Sequence, residues 1–242
     1  NAVGVVANDT WNAMRIADSL TVNWSIPPSS SFIDTAAALS TAQSLLSTGT
    51  PNIMQAFSAS GGTADDALAK AARKIDVTYQ LPYVAHACME VLNCTAQVSS
   101  GSCEIWAPTQ GQGWCVETAK ALLGLTDQQV TVHTTLLGGG LGRKIEQDFI
   151  AQAILIAKAV GQPVKLTWAR KQDFKNDKYR PSALIHVQAG LDSGGNFASL
   201  IYRNVSPSIT VQRGWGPASA DSGAVEGATH LPYSIANGRI EF

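Results

Sequence analysis

Between Leu136 and Lys144 the chain reads Leu-Leu-Gly-Gly-Gly-Leu-Gly-Arg-Lys, with four glycines in five positions. A glycine that the backbone does not need costs roughly 0.5–1 kcal/mol of conformational entropy. Such a run therefore marks a sharp turn or a place where a ligand comes close to the main chain. Val130–Leu137 alternates as a strand before it. Ile145–Val160 follows as a predicted helix with Ile145, Phe149, Ala153, Ile156 and Val160 on one face, stopped by Gly161 and Pro163. Strand, glycine loop and helix in that order suit an anion cradle, the helix N-terminus aimed back at the loop.

Two common phosphate fingerprints do not fit. A dinucleotide motif G-x-G-x-x-G needs a third glycine, which falls on Arg143 when counted from Gly138 and on Ile145 when counted from Gly140. No Lys-Ser or Lys-Thr pair follows the glycines, so the loop is not a P-loop either.

Composition narrows the classes further. Charged residues make up 14% of the 242 positions and the formal net charge is −1, which leaves no electrostatic footprint for nucleic acid. No apolar run reaches transmembrane length, and the first residues lack a signal-peptide pattern. The chain starts at Asn1 without Met, and the expectation is a segment excised from a larger protein. Cys88, Cys94, Cys103 and Cys115 contain no C-x-x-C pair. Zinc or Fe–S ligation is thus weakly supported, disulfides would depend on export, and buried free thiols are the expectation.

The predicted class is α+β, with mixed sheets and packed helices rather than a doubly wound sheet. Residues 3–24 read as strand, helix and strand, with Asp9 or Thr10 capping a helix from Trp11 to Ser19. Residues 25–62, rich in Ser, Thr and Ala between Pro27-Pro28 and Gly61-Gly62, read as a linker or surface excursion around a helix from Asp34 to Ser47. From Thr63 to Phe242 the expected elements are helices at Asp65–Lys74 and Gly113–Leu123 and strands at Ile75–Tyr79, Asn93–Val98, Ser102–Trp106 and Val164–Trp168. A hairpin pairs Ala183–Leu191 with Phe197–Asn204, and Pro207–Glu226 is irregular.

Three further motifs accompany the loop: His86-Ala-Cys-Met-Glu90-Val-Leu-Asn-Cys-Thr-Ala96, Glu104-Ile-Trp-Ala-Pro-Thr-Gln110 and Tyr179-Arg-Pro181. Taken alone, the first is a metal site or a hydrogen-bonded core feature. Gln110 is a polar residue at the mouth of a turn. Tyr179-Arg180-Pro181 is a structural turn or part of a substrate funnel. In order and spacing the four motifs resemble the large, molybdenum-binding subunit of the xanthine oxidase family, in particular the isoquinoline 1-oxidoreductase β-subunit and membrane-bound aldehyde dehydrogenase type. The resemblance covers Ile75 to about Asn204. By it, residues 3–24 are the end of a preceding hammerhead-type domain and residues 63–242 the first part of the molybdopterin-binding domain.

The resemblance implies roles for particular residues. Gln110 matches the glutamine that hydrogen-bonds the apical oxo ligand of molybdenum. Gly138, Gly139, Gly140, Leu141 and Gly142 match the loop whose backbone lies against the molybdopterin. Leu141 replaces the family's usual Phe there. Arg143 follows, either to pair with a phosphate or as a surface residue capping the loop. No direct metal ligand and no catalytic residue is assigned. The family's glutamate base lies on a segment with no counterpart here, so the chain alone is expected to be inactive.

The resemblance also implies a molybdenum-containing molybdopterin, in its cytosine dinucleotide form. Implied partners are a [2Fe–2S] small subunit, the remainder of the large subunit, a cytochrome c acceptor and a small substrate, an N-heterocycle or an aldehyde. A periplasmic or membrane-associated bacterial location is expected, a cytoplasmic one remaining open. Two rivals stand beside this reading: an NADP-binding module using Val164–Trp168 and Arg170, and a non-catalytic assembly domain that keeps the fold.

Overall fold

Alternation in two adjacent strands builds the part of the fold that carries the glycine loop. In β3 (Asn93–Ser99) Cys94 and Ala96 point inward, and in β4 (Ser102–Ala107) Cys103, Ile105 and Ala107 do. The computed structural model describes residues 2–25, 34–59, 61–217 and 221–242. They divide into two compact units, one of residues 1–26 and 85–179 and one of residues 27–84 and 180–242.

The first unit contains a four-stranded sheet of order β5-β4-β3-β6, with β5 at Val130–Thr134 and β6 at Val164–Thr167. β4 and β5 run parallel, joined through helix α4 (Gln112–Leu123), and the other pairs are antiparallel. Helix α5 (Asp148–Val160) packs its Phe149, Ile150, Ala153, Ile154 and Ala157 onto the inner face of that sheet together with Cys115 and Ala119 of α4. Both helices end at glycines in the left-handed region, Gly124 at φ 71° and Gly161 at φ 69°.

The buried stripe of α5 differs from the expected one. Ile156 turns toward the N-terminal segment instead, where a Cβ on Gly4 would lie 2.8 Å from its Cδ1. Val160 is exposed. In the same unit α1 (Thr10–Ser19) is capped by Asp9, whose carboxylate accepts from Asn12 N at 2.8 Å. Such a cap contributes about 1 kcal/mol. The flanking stretches 4–6 and 20–24, expected as strands, are irregular, because no neighbouring strand takes up their backbone groups. Residues 2–25 thus group with 85–179 rather than forming a body of their own.

The second unit is a five-stranded sheet of order β1-β9-β8-β7-β2. Its strands are β1 (Ile53–Ser58), β2 (Arg73–Leu81), β7 (Ala183–Leu191), β8 (Phe197–Val205) and β9 (Asn237–Glu241). Only β8 and β9 pair in parallel, so both sheets are mixed, as the α+β reading requires. α2 (Thr35–Thr48, capped by Asp34) and α3 (Ala64–Lys70, capped by Thr63) belong to this unit. The region read as a linker is therefore structural in good part: Ile53 of β1 pairs with Glu241 of β9. Pro27 and Pro28 lie outside the described residues. The predicted helix at Asp65–Lys74 stops at Lys70, and Arg73 and Lys74 open β2. Among its described residues the stretch from Pro207 holds single turns, α7 (Ile209–Gln212), a 3-10 turn at Ser222–Ala224 and α8 (Glu226–Thr229). The helix between β6 and β7 is α6 (Arg170–Lys175), in the first unit.

Candidate cofactor-binding loop

The turn after β4 and the glycine loop after β5 are locked together by Lys144. Its carbonyl accepts from Gln110 N at 3.0 Å and from Thr109 Oγ1 at 3.2 Å. Thr109 Oγ1 accepts in turn from Gly111 N, which starts α4. Pro108 and Thr109 are buried, while Gln110 is exposed. Parallel pairing of β4 with β5 brings the ends of the two strands side by side, Ala107 opposite Thr134.

Close approach explains the glycines. A Cβ on Gly140 would lie 2.3 Å from Gln110 Oε1, and one on Gly138 would lie 2.5 Å from Glu90 Cβ. Gly139 and Gly142 take φ of 93° and 95°, where side chains are strained. Leu141 also sits at positive φ, 52°, and is 63% exposed. Gly142 N donates to Gln110 Oε1 at 3.1 Å, Gly138 N to Glu90 Oε2 at 3.0 Å, and Cys88 Sγ to Gly140 O at 3.1 Å. The structure thus brings together Gln110, Gly138, Gly139, Gly140, Leu141 and Gly142.

Arg143 departs from expectation. Its side chain is 1% exposed, and its guanidinium forms two bonds with Asp148, at 2.9 and 2.7 Å. Nε lies 3.0 Å from Asp177 Oδ1, at ion-pair distance but outside hydrogen-bond geometry, and the group stacks over Trp168 at 5.6 Å. It is therefore not a surface residue capping the loop. Burial works against its charge, yet Asp148 and Asp177 more than offset this and raise its pKa.

The α-helix also begins later than the glycines suggest. Arg143–Ile145 form a 3-10 turn, and α5 starts at Asp148. Two buried cations tucked under the loop force this detour, and the first turn of α5 already carries the Asp148 carboxylate. The expected helix-terminus cradle is accordingly not formed at Gly142.

Beneath the loop Lys144 is fully buried and its Nζ lies 2.5 Å from Glu90 Oε2. Burial pushes the Glu90 carboxyl up, but the bonds from Lys144, Gly138 N and Asn93 outweigh it and hold it below its ordinary value. Asp177, 2% exposed at its side chain, accepts from His86 N at 2.6 Å and lies 3.0 Å from His86 Nδ1. Sequence reasoning missed Glu90, Lys144, His86, Asp148 and Asp177. Glu90 and His86 were inside a quoted motif and Lys144 ended another, whereas Asp177 meets them only through the fold.

Arg170, the residue an NADP site would need, is engaged by Asp173 at 2.6 Å and by the carbonyls of Cys88 and Met89. The four cysteines are free and buried. Burial raises all four thiols, Cys103 to about 11, so they are poor metal ligands and poor nucleophiles. Among the described residues no group of three His, Cys, Asp or Glu side chains is placed to hold a metal ion. Whatever ligand the loop meets, the groups nearest it are the Gln110 carboxamide and the loop backbone.

Comparison with known proteins bears on that ligand. Residues 46–242 match the molybdopterin cofactor-binding domain family. The chain is 30% identical over 205 residues to the isoquinoline 1-oxidoreductase subunit beta of Brevundimonas diminuta, covering 79% of this chain and 25% of that protein. It is 30% identical over 150 residues to an aldehyde oxidoreductase molybdenum-binding subunit of Escherichia coli O157:H7, covering 61% and 20%. The fold is shared with the aldehyde oxidoreductase of Desulfovibrio gigas at a TM-score of 0.68 and 21% identity, over 97% of this chain and 26% of that one. The chain thus spans about a quarter of the length of the curated relatives it matches.

Proposed function

The chain belongs to the molybdopterin cofactor-binding domain family, and on that premise we propose that Gln110 and the Gly138–Gly142 backbone hold the metal end of a molybdopterin in a hydroxylase. The observation that carries this is the packing of Gly140 and Gly142 on the Gln110 carboxamide. With Gly140 buried beneath the carboxamide, it sets the polar Gln110 side chain beside the exposed, side-chain-free backbone of Gly139 and Gly142. Such a surface suits a flat, heteroatom-rich ligand that brings its own metal. Bound there, the molybdenum centre supplies the two-electron redox chemistry.

This chain's residues bind and orient. Gln110 accepts from Gly142 N through Oε1, which leaves its N–H groups as the end to offer an oxygen ligand. Glu90 and Lys144 fix the loop from below. None of the nearby carboxylates suits the role of base. Glu90, Asp148 and Asp177 are each held by a cation, and Glu90 is acidified besides. The base is then supplied by the rest of the large subunit, and the chain alone is inactive. A [2Fe–2S] subunit and a cytochrome c acceptor would carry the electrons, in a bacterial periplasmic or membrane-associated enzyme. The substrates would be N-heterocycles or aldehydes, and the pterin a cytosine dinucleotide.

The test is metal and nucleotide analysis of the intact protein purified from its own host. About one molybdenum and one acid-released CMP per chain are expected, with Gln110→Ala lowering turnover. A folded protein from a molybdenum-replete host with neither would point to an assembly domain instead.

A further inference from the structure

His86 stands beside the loop with one ring nitrogen left over. Its side chain is 9% exposed. Nδ1 lies 3.0 and 3.1 Å from the two oxygens of Asp177. Asp177 also receives His86 N and Lys178 N and lies against Arg143 Nε. Every other neighbour of that carboxylate is therefore a donor or a cation, and Nδ1 must carry its proton toward Asp177. The ring is anchored by this contact, and Nε2 is the nitrogen turned away from Asp177. Among the described residues no hydrogen bond uses Nε2. It is the nearest atom, at 3.7 Å, to where a Cβ on Gly142 would stand, and Gly142 N is bonded to Gln110.

The imidazole is nine-tenths buried and anchored through one nitrogen, and Nε2 is the ring nitrogen left open to meet a polar group at the surface of the loop. We propose that His86 is a further ligand-binding residue of this site. Nε2 forms a hydrogen bond with a polar group of the molecule resting on Gly142, and Asp177 is the positioning residue that orients the ring. The inference rests on the cofactor reading above, under which that molecule is the pterin with its ring N–H groups. Gln110 and His86 then flank Gly142, each with a polar group for the ligand. Glycine at 142 leaves the space between imidazole and ligand open.

Two isosteric substitutions in the intact enzyme separate ligand contact from a structural role. Asn places an amide where Nδ1 stands, so His86→Asn keeps the partner of Asp177 and removes the Nε2 position. Gln reaches toward the Nε2 position, so His86→Gln keeps a polar atom for the ligand and gives up the bond to Asp177. The readouts are molybdenum and pterin released over time on dialysis of the loaded protein, and thermal unfolding of cofactor-free protein from molybdenum-starved cells. His86→Asn should unfold like wild type and release cofactor roughly fivefold faster. His86→Gln should unfold at lower temperature and release cofactor more slowly than His86→Asn. The reverse ranking, or wild-type release from both, overturns the proposal. If wild type itself carries no molybdenum or pterin, the cofactor reading has failed and this inference with it.

Discussion

Replacing Gly140 by Ala is the perturbation whose effect the geometry fixes most tightly. The added Cβ would stand 2.3 Å from Gln110 Oε1 and 2.5 Å from its Cδ. Ordinary contact needs more than about 1 Å of extra room, so the carboxamide must swing away. It then loses the bond from Gly142 N, now 3.1 Å. That bond is worth about 1 kcal/mol net. Because the clashing atoms are the far end of an exposed side chain, the cost to folding stops near that figure, a melting shift of at most about 2–4 °C. The cost to the site is larger, since Gln110 leaves the ligand surface. Purified intact Gly140→Ala should therefore melt almost as wild type yet carry little molybdenum or nucleotide. Gly138→Ala should behave differently. Its Cβ would stand 2.5 Å from Glu90 Cβ, an atom tied to the backbone, so stability falls by about 1–3 kcal/mol as in other overpacked sites. A Gly140→Ala protein with full cofactor, or one that melts much lower than Gly138→Ala, would refute the reasoning.

Other outcomes follow from the charges beneath the loop. Lys144→Met leaves Glu90 without its cation and should cost about 3 kcal/mol in denaturant unfolding, with Glu90→Gln restoring part of it in the double variant. Glu90 has a lowered folded pKa, so its contribution is complete above its ordinary value of 4.5 and is lost as pH falls through the folded value. Acid unfolding of Glu90→Gln should lack that component, and an unchanged acid limb would count against the pair. Arg143→Lys cannot keep both bonds to Asp148 or the stacking on Trp168, and should destabilise by about 2 kcal/mol in the same assay. The four thiols should resist alkylation at pH 8 until the protein unfolds, read by peptide mass mapping; labelling of native Cys94, Cys103 or Cys115 would contradict their burial.

Local signals carried most of the first unit. Asp9 caps α1 as expected, Gly161 ends α5 where expected, and β3, β4 and β6 fall where alternation puts them. What could not be read was pairing at long range. β1 and β9 stabilise each other across nearly the whole chain, Ile53 against Glu241, and neither has a strong pattern of its own. The alternation at Leu20–Trp24 promised a strand, but a strand needs a neighbour. At the candidate site Gln110 stood out only through the family resemblance, whereas the glycines were legible because close approach leaves a compositional mark. Arg143 and Lys144 were not, since two adjacent cations after a loop normally mean a surface. Only the fold supplies Asp148, Asp177 and Glu90 to bury them.

The central claim is that the Gly138–Gly142 loop and Gln110 hold the metal end of the cofactor. An anomalous difference map at the molybdenum edge, from crystals of the intact loaded protein, tests it directly. The account predicts a single strong peak beside the Gln110 carboxamide, over Gly140 and Gly142. A molybdenum peak lying elsewhere, with this loop covered only by protein, would contradict it.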